Sequence, residues 1–423
     1  MTKGMKPKEH FWSDELVTLI ETAGIKMSDR VGCAFLNRLL HRGNTDSLKM
    51  KTITEMCDRH GNQILNYQEQ HAREVLEQHH FDPDTGKPAC DAGVQFLQES
   101  VAVNHTQIDP SLIDNYVKDY NSRKNDDILI QMTDQQKAAI ESPDMSTVYI
   151  CLDDVGVKRQ KEKREKTSHH ATGTHADSAE TELSAAPKTK SRPSVETSVA
   201  HICVDNMRYV LLADSILQLC LNVLAFLLEF NLLADHRLIF MTDGASNIRT
   251  SLREVFGFRQ YTVLLDWFHL RKHCAEIISM MLRSGKENRD VQYQIKRSLF
   301  RYLWCGNVQG AITYINGLST DDIRNEFRRT ELVEYLKRKE YAIQCYAVRR
   351  YLGLSTTSNP VEKANDLTVA RRQKKKSMSW SRHGSRGLAA LTALYMNHEA
   401  DNWHSNNVLR YEMYEKYGDA LAA

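Results

Sequence analysis

Hydrophobic and polar positions follow two different periods along the chain. Over about residues 1–145, apolar residues such as Val31 and Phe35 recur at helical spacing, which predicts amphipathic helices. From about residue 146 the apolar residues gather into short runs typical of strands, and helical spacing returns over about residues 271–352. We therefore predict an α/β protein with an all-helical N-terminal region and a helical insertion behind the strands.

The strand-like runs alternate with helical segments in a definite order. Three runs come first, the first ending at Leu152, and then a helix, a fourth run, a shorter helix and a fifth run ending at Leu265. This order predicts a mixed five-stranded sheet flanked by helices. Residues 158–194 are polar and of low complexity, which predicts a flexible insertion. The longest apolar stretch, residues 209–234, is interrupted by polar residues and predicts a buried strand and a core helix.

The N-terminal region contains three predicted helices separated by glycines. The first begins after Ser28 and ends before Gly43, the second covers about residues 47–60, and the third follows Gly61 and ends near Leu76. Three short helices joined by glycine turns are consistent with a helix-turn-helix that reads DNA. Any small helical bundle gives the same pattern, so both interpretations stay open.

Composition narrows the class of protein. The 423 residues include 56 Lys and Arg against 54 Asp and Glu, a net charge of +2, so a nucleic-acid surface has to come from local clustering. The nine cysteines are spread singly, which argues against a disulfide framework and a Cys-based zinc site. The first residues lack the apolar core of a signal peptide. We expect a cytoplasmic, nucleoid-associated protein without membrane contact.

Acidic residues follow several predicted strands. Asp153, Asp243 and Asp266 come at the carboxyl ends of strands, where catalytic groups gather in α/β sheets. Neighbouring carboxylates repel unless a cation lies between them, and hard oxygen ligands favour Mg²⁺. With a third acid, two such ions can stabilise both oxygens of a phosphodiester displacement. The strongest distant acid is Glu362, at the start of a late predicted helix.

Each of these acids also has a structural interpretation. A helix capped by Asn359 would place Glu362 at N3, the capping-box position. Asp243 precedes a glycine, and Asp-Gly pairs are common in turns. Asp154 competes with Asp153 as the first ligand. Strand alternation favours Asp153 only mildly, so that choice stays open.

The acids and the residues around them form a set of five ordered motifs. These are Asp153 after the first strand, Thr242-Asp243-Gly244-Ala245 after the fourth, Asp266-Trp267-Phe268-His269 after the fifth, Ser358-Asn359-x-x-Glu362-x-x-Asn365 on a late helix, and Met378-Ser379-Trp380-Ser381 with Gly384 behind it. In this order they resemble the bacterial insertion-sequence DDE transposases, which have an RNase H-like catalytic domain. The resemblance covers about residues 145–405. The chain departs from the family where a glycine often follows the first aspartate.

The resemblance implies roles for several side chains. It implies that Asp153, Asp243 and Glu362 are catalytic and hold two Mg²⁺ (or Mn²⁺) ions. Asp266 and His269 match the family's D-x-x-H and are implied to support the active site. For His269, a histidine satisfied by packing or a hydrogen bond is an equally good interpretation.

A basic segment follows the predicted catalytic glutamate. Between residues 363 and 386 there are eight Lys and Arg and one acid, and such clusters neutralise phosphates. The candidate DNA contacts are Lys363, Arg371, Arg372, Lys374, Lys375, Lys376, Trp380, which could stack on a base, and Arg382. Basic runs at residues 337–339 and 349–350 extend the positive side. The alternative is a solvated charged face.

The sequence thus predicts a DNA transposase that cleaves the ends of an insertion element and transfers them into target DNA. An RNase H-like nuclease or resolvase with the same acids, or a non-catalytic DNA-binding protein, are the alternatives. The expected partner is double-stranded DNA, held by a homodimer or higher oligomer in a synaptic complex. The predicted divisions are an N-terminal region (1–145), a catalytic core (146–270), a helical insertion (271–352), a catalytic helix with the basic segment (353–405) and a tail (406–423).

Overall fold

The computed structural model describes residues 12–42, 47–89, 108–123, 128–138, 140, 147–160, 194–375 and 378–415. Within these ranges, no helix is both long and apolar enough to cross a membrane. The predicted flexible insertion falls mainly on residues 161–193, which lie outside the described residues.

Five strands form one mixed sheet. They are β1 (Thr147–Lys158), β2 (Ser194–Val204), β3 (Met207–Ala213), β4 (Arg237–Thr242) and β5 (Thr262–Leu265). Their order in the sheet is β3-β2-β1-β4-β5, with β1 and β3 antiparallel to β2 and with β1, β4 and β5 parallel to one another. β1 pairs with β4 only as far as Leu152 and continues to Lys158 beside β2, so the carboxyl ends of β4 and β5 lie next to the middle of β1.

Helices precede the sheet, flank it and follow it. The helices before the sheet are α1 (Asp14–Lys26), α2 (Asp29–Leu39), α3 (Met50–Gln78), α4 (Pro110–Ser122) and α5 (Asp134–Ala138). Those among the strands are α6 (Ile216–Glu229), α7 (Leu232–Asp235) and α8 (Ser246–Phe256). Those after β5 are α9 (Trp267–Met281), α10 (Arg289–Trp304), α11 (Val308–Asn316), α12 (Glu326–Lys339), α13 (Tyr346–Tyr351), α14 (Asn359–Asn365), α15 (Arg371–Gln373), α16 (Arg382–Met396) and α17 (Ala400–Asn406).

The predicted α/β class, the mixed five-stranded sheet and the helical N-terminal region are confirmed. The long apolar stretch forms β3 and α6, as its pattern predicts. Tyr209 and Leu212 on β3 are at most 1% exposed, and Leu219 and Val223 on α6 are fully buried. α6 is covered by β3, α3 and α8, which explains why it is apolar on nearly every side.

The prediction that Gly61 separates two helices is wrong, because α3 runs through it without interruption. Gly61 lies where α3 crosses α16, and a Cβ atom there would stand 1.9 Å from the carbonyl oxygen of Gly387. The glycine pair therefore allows close approach of two helix backbones rather than a turn. A DNA-reading role for these helices stays a prediction.

The predicted N-terminal region divides into two parts by its packing. α1 to α3 pack on one another and on α16, beside the sheet. α4 instead shares a second apolar core with residues of the helical insertion. That core consists of Ile113, Ile130, Ile140, Cys305, Cys345, Ala347, Val348 and Leu354. Tyr116 of α4 stacks on Tyr351 with 4.1 Å between ring centroids. The helices before the sheet thus support both the core and the insertion.

Candidate active site

The parallel pairing of β1 with β4 brings two acids side by side, one within β1 and one just after β4. The prediction that Asp153 follows the first strand is wrong, because β1 continues to Lys158 in antiparallel pairing with β2. The parallel register pairs Leu152 with Thr242, so Asp153 and Asp243 come next on adjacent strands. The Asp153 carboxylate accepts a hydrogen bond from its neighbour's backbone N–H at 2.9 Å and one from Asn365 Nδ2 at 2.5 Å. Burial, together with the charge of Asp243, raises the pKa of Asp153 to about 6.

Asp154 points to the opposite side of the sheet. Its carboxylate accepts hydrogen bonds from Ser198 Oγ at 2.5 Å and from Asn247 Nδ2 at 2.9 Å. Ser198 is its partner in the β1–β2 register, and Asn247 lies in the first turn of α8. Of the two adjacent aspartates, only Asp153 faces α14 and the other candidate acids.

Asp243 lies in a tight turn between β4 and α8. Its Oδ1 accepts a hydrogen bond from the backbone N–H of Ala245 at 2.8 Å. Gly244 has a φ of +85°, and a Cβ atom at this position would lie 2.7 Å from Leu265 Cδ1. Both observations require glycine here. The Asp-Gly turn and the placement of Asp243 at the strand end are therefore compatible, and one does not replace the other.

Asp266 is a fully buried carboxylate that joins the start of α9 to the start of α14. Its Oδ1 accepts a hydrogen bond from the His269 backbone N–H at 2.8 Å and so caps α9. Its Oδ2 accepts hydrogen bonds from Ser358, at 2.5 Å from the backbone N–H and 3.0 Å from Oγ. Three donors thus satisfy both oxygens of a side chain that is 0% exposed.

Glu362 lies in the first turn of α14, one position later than predicted. The helix begins at Asn359 with Ser358 as its N-cap residue, which puts Glu362 at N4. In a capping box, the Glu362 carboxylate would accept a hydrogen bond from the backbone N–H of Ser358, but that N–H donates to Asp266 instead. The Glu362 side chain is 40% exposed, and its Oε1 lies 3.7 Å from His269 Nε2. The capping interpretation of Glu362 is therefore wrong.

A second grouping of potential metal ligands lies next to the predicted triad. Ligand atoms of Asp266, His269 and Glu362 lie within 4.8 Å of one another, whereas Asp153, Asp243 and Glu362 do not meet that limit as a set. The oxygens of Asp266 are already occupied by three hydrogen bonds, so that carboxylate orients its neighbours rather than offering an open ligand position. His269 Nδ1 lies 3.5 Å from Asp266 Oδ1, and its other nitrogen faces Glu362.

Asn365 lies at the site, although the sequence analysis named it only as the last position of a motif and predicted no role for it. It is 6% exposed and lies one turn beyond Glu362, where its amide contacts Asp153. Its Oδ1 is buried and has no hydrogen-bond partner among the described residues. A buried amide oxygen beside a buried carboxylate is an additional hard donor at this edge of the sheet.

The basic segment behind α14 is divided between exposed and buried side chains. The exposed members of the predicted set are Lys363, Arg371, Lys374, Lys375 and Arg382, and Lys376 lies outside the described residues. Arg372 does not fit a DNA contact, because it is 4% exposed. Its guanidinium donates to Asp29 Oδ1 at 2.8 Å and to the Gly24 carbonyl oxygen at 3.0 Å. It therefore joins the C-terminal segment to α1 and α2.

Trp380 also belongs mainly to the protein interior. Its ring packs on the Arg372 guanidinium at 5.2 Å, and its Nε1–H donates to the Gln373 carbonyl oxygen at 3.1 Å. Its backbone N–H donates to the carbonyl oxygen of Lys158 at the end of β1. Arg349, in the second basic run, is likewise 0% exposed and donates to Ser355. A run of basic residues in the sequence therefore does not show which of its side chains are buried and which are exposed.

Near the acids lies a basic cavity that sequence reasoning did not identify. It measures about 520 Å³ and lies between the β4–α8 turn, α9 and α12. Asp243 and His269 form part of its lining together with four cations. Those cations are Arg249, Lys272, Arg338 and Lys339. They come from three separate elements, so no sequence pattern groups them.

The chain matches no protein-family model, and no curated protein matches it significantly. Its function therefore has to follow from the geometry of the site.

Proposed function

We propose that the protein is a metal-dependent DNA transposase that cleaves element ends and transfers them into target DNA. The observation that carries the proposal is the placement of Asp153 and Asp243 next to each other on adjacent strands, with α14 bringing Asn365 and Glu362 to the same edge. Partly buried carboxylates that lie side by side repel each other unless a cation joins them. A purely structural role for these acids does not account for it.

The strand arrangement supports an RNase H-like catalytic core. β1 lies in the middle of the sheet, antiparallel to β2 and parallel to β4, and the first two candidate acids lie within β1 and directly after β4. The third candidate acid lies on a helix that comes after an insertion of five helices or helical parts, α9 to α13. This is the order of elements that the resemblance to DDE transposases implies.

The residues at the site fit divalent metal ions. Asp153, Asp243 and Glu362 offer carboxylate oxygens, and Asn365 offers a buried Oδ1 without a hydrogen-bond partner among the described residues, which is the donor set that Mg²⁺ and Mn²⁺ prefer. Asp153, on the central strand, and Asp243 beside it would hold the ions together with Glu362. When bound, two such ions activate the attacking hydroxyl and stabilise the charge on the phosphodiester oxygens.

The other site residues hold these acids in place. Asp266 fixes the start of α14 through Ser358, and Asn365 fixes Asp153 one turn later. Asp266 also lies beside one nitrogen of His269, whose other nitrogen faces Glu362. This arrangement orients the imidazole toward the catalytic glutamate. The exposed part of the basic segment supplies sequence-independent contacts to DNA phosphates in this proposal.

A strand-transfer assay tests the proposed function. The purified protein is incubated with Mg²⁺ or Mn²⁺, a duplex carrying the end of the element that flanks the gene, and a supercoiled target plasmid. Cleavage at the end and joining of the donor 3′ strand to the plasmid are expected. Asp153→Asn, Asp243→Asn and Glu362→Gln are expected to lower both rates on the order of 1,000-fold or more.

Two matched variants act as controls. Asp154→Asn changes the neighbouring residue on the opposite side of the sheet, and Asp366→Asn changes an exposed acid next to Asn365. Both are expected to retain activity. Cleavage without joining would identify a nuclease or resolvase instead of a transposase. Full activity of the triad variants would refute the assignment, and DNA binding without any metal-dependent cleavage would indicate a non-catalytic DNA-binding protein.

A further inference from the structure

The cavity beside the candidate active site is lined mainly by positively charged side chains, although acids also lie in its lining. Lys272 projects from α9, Arg338 and Lys339 from the end of α12, and Arg249 from α8. The Lys339 ammonium group donates to the carbonyl oxygen of Gly244. This contact places a cation directly behind the turn that carries Asp243.

The cations of the cavity lack acidic partners, whereas others on the same helix have them. On α12, Arg328 pairs with Glu331, Arg329 with Glu326, and Lys337 with Glu334, at N–O distances between 2.5 and 3.0 Å. No carboxylate of the described residues lies within 4.0 Å of the four cations of the cavity. These cations are Arg249, Lys272, Arg338 and Lys339. Two acids, Asp243 and Glu276, also line the cavity, so its four cations leave an excess of positive charge, which is typical of a surface that binds phosphates.

An exposed aromatic side chain lies next to this cavity. Phe268 is 56% exposed in the first turn of α9. It is four residues before Lys272, so the two side chains share one face of the helix. Its ring contacts that of His269, 5.9 Å away between centroids, and His269 lines the cavity. A basic groove with an adjacent exposed ring is the combination that binds unpaired nucleic-acid strands.

We propose that this cavity binds an unpaired DNA strand adjoining the phosphodiester at the catalytic acids, with its phosphates on the four cations and one base on Phe268. This inference rests on the proposed function. The cavity has the volume of a site for a ligand of nucleotide size, and a duplex does not fit within it. The strand is either the donor flank beyond the cleaved bond or a target strand, since both offer the same phosphates and bases.

Binding of a labelled oligodeoxythymidylate of about 12 nucleotides, followed by fluorescence anisotropy in EDTA, tests the inference. Replacing Lys272 and Arg338 together by glutamine is expected to weaken binding at least about tenfold and to lower the salt slope by about 1.4, since each single-strand phosphate contact contributes about 0.7. Phe268→Ala is expected to weaken binding about fivefold or more, and Phe268→Trp to restore it.

Two variants control for changes in overall charge and exposed aromatic area. Lys337→Gln removes a cation of α12 that is paired with Glu334, and Phe327→Ala removes a ring that is 72% exposed at the other end of α12. Both are expected to bind as the wild type does. The inference is overturned if the double variant binds with unchanged affinity, if the controls weaken binding equally, or if binding of a matched duplex falls as much as that of the single strand.

Activity assays then identify which strand occupies the cavity. If it holds the donor flank, the double variant loses cleavage of ends with long flanks but still transfers ends that are already cleaved. If it holds the target strand, transfer of those cleaved ends is lost and cleavage is retained. The binding assay needs no metal, so its result does not depend on the catalytic assignment. Strand binding can therefore be confirmed even if the triad variants stay active and the proposed catalytic function is refuted.

Discussion

Asp153→Asn is expected to stabilise the protein in the absence of divalent metal ions. Burial and the charge of Asp243 raise the pKa of Asp153 from 3.8 to about 6. A carboxyl group whose pKa rises on folding binds its proton more tightly in the folded state. The contribution of this carboxyl group to stability is therefore greatest at low pH and falls as the pH rises from 3.8 toward 6, after which the loss stays constant.

The size of this effect follows from the pKa shift. One pKa unit corresponds to about 1.4 kcal/mol, so the buried charge lowers the free energy of unfolding by up to about 3 kcal/mol above pH 6. Asparagine carries no charge, and its oxygen can still accept the hydrogen bond from Asn365. The variant should regain most of this free energy, which corresponds to a melting temperature about 3 °C higher for a chain of this length.

Thermal unfolding from about pH 4 to pH 8, in EDTA and in Mn²⁺, measures both parts of the prediction. In EDTA the variant should melt with the wild type near pH 4 and above it at pH 8. Mn²⁺ at about 100 times its dissociation constant should stabilise the wild type by about 2.7 kcal/mol and leave the variant unchanged. Asp154→Asn, on the same strand but the other side of the sheet, should keep the response to Mn²⁺.

A melting temperature that differs by the same amount at every pH would show that the charge of Asp153 is not the cause. Equal stabilisation of both proteins by Mn²⁺ would show that the ion binds elsewhere. Either result refutes the reasoning that connects the buried acids to a metal site.

Three further substitutions test the contacts that support the site. Asp266→Asn should lower the free energy of unfolding by about 2–4 kcal/mol and slow strand transfer, because one amide cannot satisfy three buried donors. Gly61→Ala should cost about 2–4 kcal/mol, since its Cβ would collide with the backbone of Gly387. Burial raises the pKa of Glu21, but hydrogen bonds led by the one from His404 outweigh burial, and the pKa is lowered on balance. The free energy of unfolding should therefore fall as acid protonates Glu21. Glu21→Gln should remove this pH dependence, which thermal melts in acid measure.

Each of these substitutions has a matched control elsewhere in the chain. Asp109→Asn changes an exposed N-cap aspartate of α4, where asparagine caps as well. Gly317→Ala adds a methyl group with ordinary contacts at 3.4 Å. Glu55→Gln alters a glutamate that is 65% exposed and paired only with Lys51. Calorimetric melts showing equal effects in a variant and its control would contradict the corresponding prediction.

Periodicity was sufficient to predict the sheet and its long apolar helix, because elements that are buried on both faces consist of nearly continuous apolar residues. It could not predict the role of Gly61, since a glycine that permits two helices to touch looks the same as one that ends a helix. The choice of Asn359 as the N-cap residue also placed Glu362 one helical position too early. The N-cap there depends on Asp266, a residue distant in sequence that takes the Ser358 amide.

Charged residues were the least predictable part of the site. Arg372 and Arg349 lie in basic runs, yet each is buried and bonded to backbone carbonyl oxygens. Conversely, the cations of the cavity are separated by up to about 90 residues and meet only because α8, α9 and α12 surround the same space. Burial and convergence of distant elements are properties of the packed chain, and a local pattern does not contain them.

The contacts around α14 explain how an exposed candidate glutamate can still be precisely held. Ser358 at the start of the helix is fixed by Asp266, and Asn365 at its end is fixed by Asp153. Glu362 lies between these two attachments, so its backbone is constrained at both sides while its carboxylate remains 40% exposed. A π-helical turn begins directly afterwards, at Asp366, and such turns often occur at functional sites. The backbone on both sides of Glu362 is therefore fixed, and a rotation of its side chain alone can change the position of its carboxylate.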